Sequence, residues 1–269
     1  MELKLGCQWP PKEDKRTIRL SAIMPLKQLY VPSEFDAEVD LMGSAFPQRV
    51  WGNNYEGCCV IAAQANLTRV LEYIEQGHLV NITTNDVHKE YRKQSGGADN
   101  GLYMLDAFND WHKDGWKITN GKLNKTKTRG CWAKFFPPKD ESQHLDIFAF
   151  AKLDNIDELR AAVYYLRGCQ IAVRLTDKDM DQFRAREPWS LDGNNEDYDG
   201  GHCVNVPAFH RDGMLECWTW GERQLMVSDW FNKRQYDIYA VVDNRNAFME
   251  NSPVDCEKLN VLLNGIKNS

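Results

Sequence analysis

The sequence predicts an α+β fold of two lobes, helices early and strands late, with a cleft between them. Three observations carry that expectation. Residues 59–76 form a pattern apolar nearly all round a helix for two turns. Residues 202–242 read as strands joined by tight turns. Pro10, Pro11, Pro25, Pro32 and Pro47 break the first fifty positions into extended, irregular chain.

The elements follow in order. Val60, Ile61, Ala62, Ala63, Ala65, Leu67, Val70, Leu71 and Ile74 define the long helix, and Gly77 supplies its C-cap. A helix so apolar is buried, so its N-terminus faces a lobe boundary. Thr84 reads as the N-cap of a short helix through Tyr91. Leu102, Leu105, Phe108 and Trp111 recur at helical spacing over 101–113, with Gly115 as a stop. Residues 118–143 are polar and loop-rich. Residues 147–151 read as a strand, 155–167 as a helix, and 170–175 as a buried strand after the Gly168 break. Residues 176–200 read as a long acidic loop. Strands at 202–209 and 215–220 flank the turn Arg211-Asp212-Gly213-Met214, and 236–242 is another strand. Ser252-Pro253 begins a closing helix with Leu259, Leu262, Leu263 and Ile266 on one face.

Composition narrows the function. The 269 residues carry a formal net charge of −6, so a basic face for nucleic acid is not expected. The one basic cluster, Lys122 to Arg129, reads as a solvated loop. No stretch approaches the roughly 20 apolar residues of a membrane span, and the first residues lack the apolar core of a signal peptide. A cytoplasmic setting with reduced thiols is therefore expected, and the triplets at Asn66, Asn81 and Asn124 read as chance glycosylation matches. With no CxxC pair, neither metal nor cofactor is expected; Cys58, Cys59, His202 and Cys203 would be the ligands to consider.

Chemistry concentrates at two places. Cys58-Cys59 opens the apolar helix, and Gly200-Gly201-His202 opens a strand. A thiol at a helix start meets unpaired N–H groups and the positive end of the macrodipole, which is expected to lower its pKa toward neutrality. A neighbouring imidazole can stabilise the thiolate and protonate a leaving group. The plainer reading makes Cys59 a small core residue and His202 a satisfied strand histidine. Asn53 reads either as an oxyanion donor or as turn chemistry within Gly52-Asn53-Asn54.

Asn53-Asn54-Tyr55-Glu56-Gly57-Cys58-Cys59 before an apolar helix resembles the nucleophile segment of papain-like cysteine peptidases. That family has a Gln six positions before the nucleophile, where this chain departs with the shorter amide Asn53, and a Gly two before it, here Gly57. Helix, strand, Gly-His strand, hairpin and the pair Trp220-Gly221 follow in the same order. The Gly-Gly-His and Thr219-Trp220-Gly221 segments are more narrowly similar to a phage- and prophage-encoded papain-like group, over about residues 15–266. The resemblance implies a single two-lobed domain over 1–269. Its helical lobe would span about 50–140 and carry the nucleophile helix; its β-rich lobe, about 1–49 and 141–269, would carry the histidine. It implies a hydrolase with Cys59 as nucleophile, His202 as general base and acid, Asn53 in the oxyanion hole, and a peptide or protein substrate cut at a peptide, isopeptide or amide bond. A phage origin would place it in a host cytoplasm or a virion. The family's orienting Asn, two positions before the Trp-Gly pair, is Trp218 here, which leaves Asp229 and Asp199 as candidate orienters and Trp218 or Trp220 as a roof over the histidine. That loss also supports a second reading, a catalytically inactive papain-like binding or structural module. A third, a thiol fold of the cell-wall amidase class, would want a second His or polar residue soon after the first on an adjacent strand, whereas His210 falls in the hairpin turn.

Overall fold

The computed structural model of the chain describes residues 3–119, 144–193, 196–243 and 252–267. In order it contains α1 (Leu20–Ile23), a 3-10 turn (Leu26–Gln28), β1 (Phe35–Asp36), α2 (Ala37–Met42), α3 (Cys59–Gln76), α4 (Thr84–Gln94) and α5 (Met104–Lys113). Then come β2 (Trp116–Lys117), β3 (His144–Leu145), β4 (Ala149–Lys152), α6 (Ile156–Leu166), β5 (Cys169–Leu175) and α7 (Asp177–Ala185). The last third holds β6 (Gly200–Phe209), β7 (Leu215–Thr219), β8 (Glu222–Met226), α8 (Ser228–Arg234), β9 (Gln235–Val242) and α9 (Cys256–Lys267).

The main sheet is antiparallel in the order β4-β9-β5-β6-β7-β8, and β1 adds to β6 at Phe35↔Phe209. Central β6 is buried along nearly its whole length because both faces are covered. Val204 and Val206 face a core shared with α6, Trp189, Trp230 and Phe231. Cys203, with Ala172 and Tyr239 of the neighbouring strands, faces a second core formed by α3, α4 and α5. Two cores on opposite faces of one sheet, one helical and one sheet-rich, make the two-lobed α+β arrangement that the sequence predicts.

Helix α3 occupies the span set by the apolar pattern, and Gly77 closes it at φ 73°, a left-handed position glycine adopts without strain. Elsewhere the structure corrects the sequence expectations. Thr83, not Thr84, caps α4, accepting from the Asp86 N–H in a reciprocal capping box. The closing helix starts at Cys256, three residues after Pro253. The expected acidic loop at 176–200 begins instead with α7. Its start is a second capping box, in which Thr176 Oγ1 receives the Asp179 N–H and Asp179 receives the Thr176 N–H. Acidic residues in a first turn favour the helix through the macrodipole, and the loop reading missed that. Strand β8 and α8 were not foreseen. The basic cluster 122–129 and most of the expected loop 118–143 lie outside the described residues.

The chain start links the two cores. The Gly6 and Cys7 N–H groups donate to Gly201 O at 3.1 and 2.9 Å, while the Leu102 N–H donates to Gly6 O and the Gln8 N–H to Leu102 O, both at 2.9 Å. The backbones pass so closely that a Cβ on Gly201 would stand 2.1 Å from Cys7 O.

Candidate active site

The loop that leads into α3 is held from below by exposed Asp99 and buried Tyr91. Asp99 Oδ1 accepts the Gly57 N–H at 2.8 Å and the Tyr91 hydroxyl at 2.9 Å, and Tyr91 Oη in turn accepts the Gly101 N–H. A Cβ at Gly57 would stand 3.0 Å from Asp99 Oδ1 and 3.2 Å from Leu5 O, so glycine allows the loop to seat. The loop delivers Cys58 to the N-cap of α3 and Cys59 to its first turn. Asn53 stays beside it, donating from Nδ2 to Glu56 O at 3.2 Å.

The histidine is fixed from the other lobe. His202 Nε2 lies 2.7 Å from Thr219 Oγ1 across β6 and β7, and the ring stacks on Trp220 at 4.2 Å with planes 13° apart. Thr219 and Glu222 pair in register, so Trp220-Gly221 is a two-residue hairpin turn, with φ 45° and 83°. Positive φ at both central residues is the geometry of a type I′ turn. A bulky side chain there is strained by about 1–3 kcal/mol. Stacking on His202 and the edge contact with Phe183 hold Trp220 in place.

Cys59, His202, Asn53, Trp218 and Trp220 line one small pocket, together with Thr219, Asn205 and Asn66. Asn205 ties the lobes beside it, donating from Nδ2 to Ala63 O of α3 at 2.7 Å. His202 Nδ1 has no hydrogen-bond partner among the described residues, and so makes none with the Cys59 sulfur. The pocket is narrow, with a volume of about 20 Å³, room for roughly one water. Gln48, Arg49 and Val50 form one wall. Glu38 holds this segment from the sheet side by accepting from Phe46 N and Gln48 Nε2, and α3 holds it through Asn66 to Arg49 and Arg69 to Pro47 O. Trp218 is held by the same carboxylate, its Nε1 donating to Glu38 Oε1 at 2.9 Å.

Burial overturns one expectation. Cys59 and His202 are each only 1% exposed. Burial pushes the Cys59 thiol up to about 12, against nearby N–H groups of Cys203, Gly6 and Val60 that pull it down. Burial likewise pulls His202 down to about 3. The N–H groups at the helix start still pull the thiol's pKa down, but desolvation is the larger effect here, and both groups are neutral.

The suggested orienters do not reach the ring. Asp229 is exposed in the first turn of α8, and exposed Asp199 lies against Asp177. Thr219 does the holding, and the sequence reading missed it. Its position immediately before the Trp-Gly turn was the available signal, hidden because a hydroxyl was not counted as an orienting group. Trp220 is the residue over the ring. His88 is buried on α4 beside the loop that leads into α3.

No protein-family profile and no curated protein matches this sequence. Solved structures do match the fold. Xylellain, a cysteine protease from Xylella fastidiosa, superposes with a TM-score of 0.64 at 16% identity, over 90% of this chain and 98% of its own. The chain has the papain-like fold. A procathepsin B from Trypanosoma congolense matches at TM-score 0.58 and 12% identity, over 88% of this chain and 85% of its own. The Carica candamarcensis cysteine protease CMS1MS2, solved with E-64, matches at 0.53 and 14%, over 80% of this chain and all of its own. These structural neighbours of the papain-like chain are cysteine proteases. Among the described residues no helix is long and apolar enough to cross a membrane.

Proposed function

We propose that the chain is a papain-like thiol hydrolase acting on a peptide, isopeptide or related amide bond. The observation that carries this reading is the meeting of Cys59 and His202 in one pocket, with Thr219 on Nε2 and Nδ1 left over. With the ring proton on Nε2, Thr219 Oγ1 accepts it, and Nδ1 is the lone-pair nitrogen that takes the thiol proton. The Cys59 thiolate attacks the carbonyl carbon, and the Cys59 N–H with the Asn53 amide receives the oxyanion. Imidazolium Nδ1–H then protonates the departing amine, and a water deprotonated by the same nitrogen releases the acyl group. Thr219 is a positioning residue, and Trp220 shields its hydrogen bond from water. A pocket of about 20 Å³ cannot hold a peptide group, so turnover requires the 48–50 wall to move away. Opening hydrates the thiol and brings its pKa down toward the helix-start value. The single-domain extent with lobe boundaries near 50 and 140, the kinship with phage-encoded papain-like proteins, and a cytoplasmic or virion setting belong to the same proposal.

An epoxysuccinyl peptide probe tests it. The wild-type chain becomes covalently labelled and Cys59→Ala does not; equal labelling of the two rules the mechanism out. A second reading, an inactive binding or structural module, draws on the narrow pocket and the neutral pair. Titrating Cys59 alkylation with peptide ligand present separates them. A midpoint several units below 8.5 supports the hydrolase, and one at or above that value supports the silent module.

A further inference from the structure

Beside the nucleophile stands a group of side chains that the hydrolase reading leaves unused. Glu56, Cys58 and His88 each offer a ligand atom within 4.8 Å of the others, and all three residues are buried. Glu56 and Cys58 flank Gly57 in the loop, and His88 stands on α4. They come from distant stretches, so the CxxC criterion that excluded metal from the sequence did not apply to them.

The His88 ring is already set for a further ligand. Nε2 lies 2.9 Å from Trp51 O, which can only accept, so Nε2 carries a proton and Nδ1 faces Glu56 Oε2. This is the outer-sphere arrangement that fixes the tautomer of a metal-bound histidine. Glu56 Oε1 accepts from Arg92 Nε at 3.1 Å. Buried Oε2, although in contact with Nδ1, has no aligned hydrogen bond. The partner of the Cys58 sulfur is Trp51 O at 3.9 Å, a weak contact. Nitrogen, oxygen and sulfur ligand atoms thus converge at a place about a tenth exposed, where Glu56 Oε2 lacks an aligned hydrogen bond and the sulfur has only a weak one.

We propose that Glu56, Cys58 and His88 form a binding site for a divalent cation of the zinc class, with a fourth position left to water. One sulfur, one imidazole and one carboxylate suit a borderline ion that accepts tetrahedral geometry. Ligand atoms about 3.5 Å apart are needed for bond lengths of about 2.0–2.3 Å, and the three ligand atoms already lie within 4.8 Å of one another. On binding, the metal–sulfur bond replaces the Cys58 S–H bond, and the thiol proton leaves to solvent. The ion cross-links the 51–58 loop to α4, and so braces the loop that carries Asn53 and ends at Cys59. None of this depends on the hydrolase reading.

The test is a titration of the full chain, freed of metal by a chelator, with Co²⁺ and then Zn²⁺. One Co²⁺ per chain is expected to bind with a near-ultraviolet sulfur-to-cobalt charge-transfer band, and Zn²⁺ to displace it. Cys58→Ser removes the band. His88→Ala and Glu56→Gln weaken binding by more than about a hundredfold, beyond the cost of losing a mere outer-sphere partner. Cys59→Ala and Cys203→Ser leave it in place. If the wild-type chain gives no saturable band, His88 and Glu56 are an ion pair alone and the proposal falls, whatever the variants do. It also falls if Cys59→Ala loses the band while Cys58→Ser keeps it. If the Cys58→Ser chain does not fold, weakened binding in His88→Ala and Glu56→Gln with the band kept in Cys59→Ala assigns the site, and full-strength binding in both His88→Ala and Glu56→Gln overturns it.

Discussion

Thr219 and His202 make the residue-scale argument. A single neutral hydroxyl, shielded by Trp220, holds the ring where a carboxamide or carboxylate could have stood. Losing one hydrogen bond of this kind is worth about 1–2 kcal/mol, so Thr219→Val should lower kcat by on the order of tenfold or more while Thr219→Ser retains most of it. Steady-state kinetics with a fluorogenic peptide, once a substrate is found, read this directly; equal kcat values for all three chains would remove Thr219 from the mechanism. His202 also sets a pH dependence. Burial lowers its pKa from 6.5 to about 3, so the folded chain keeps the ring neutral. Below about pH 6.5 the unfolded chain binds a proton there that the folded chain refuses. The stability contributed by the neutral ring is therefore full above that pH and is lost as pH falls toward 3, at about 1.4 kcal/mol per pH unit. Urea unfolding at pH 7 and 4.5 should show wild type losing more stability over the interval than His202→Gln, and parallel losses would contradict the assignment.

Caps and turns carry the argument at the scale of elements. The periodic, strongly apolar α3 was legible residue by residue, because packing and local pattern agree there. Helix α7 was not, because its polar sequence resembles a loop, and only the Thr-x-x-Asp start marks it. That start is testable. Thr176 is buried and its hydroxyl sits 2.9 Å from Asp179 Oδ2, so Thr176→Ala should destabilise the chain by about 1–2 kcal/mol. Chemical denaturation measures the loss, and a change within error would mean that tertiary contacts alone hold α7. The β7–β8 hairpin was equally hard to foresee. Its Trp-Gly turn puts an aromatic where Asn or Gly is usual, a local preference overridden by the stack on His202.

The whole molecule decides whether the pair can react. Two cores on opposite faces of one sheet bring residue 59 and residue 202 to one pocket, and backbone contacts strap the lobes together at Cys7, Leu102 and Gly201. The strap leaves no room for a side chain. Gly201→Ala would place a Cβ 2.1 Å from Cys7 O, and such overpacking against backbone should reduce stability by about 1–3 kcal/mol. A thermal melt checks this; an unchanged Tm would show that the chain start yields without consequence. Burial at this scale also explains why helix-start reasoning failed for the thiol. The dipole acts over one turn, whereas desolvation is imposed by segments outside the helix, Gln48 to Val50 on one side and the distant Trp218 to Gly221 on the other.

By itself the sequence determined the α+β class, the long buried helix, the late strands and the two stretches bearing sulfur and imidazole, since periodicity and turn chemistry are local. Only the tertiary structure decided that Thr219 holds His202, that Cys59 and His202 are buried and neutral, and that His88 lies beside Glu56 and Cys58. Those outcomes depend on which distant groups share a small volume and how much water remains in it, and neither quantity is written in any single stretch of chain.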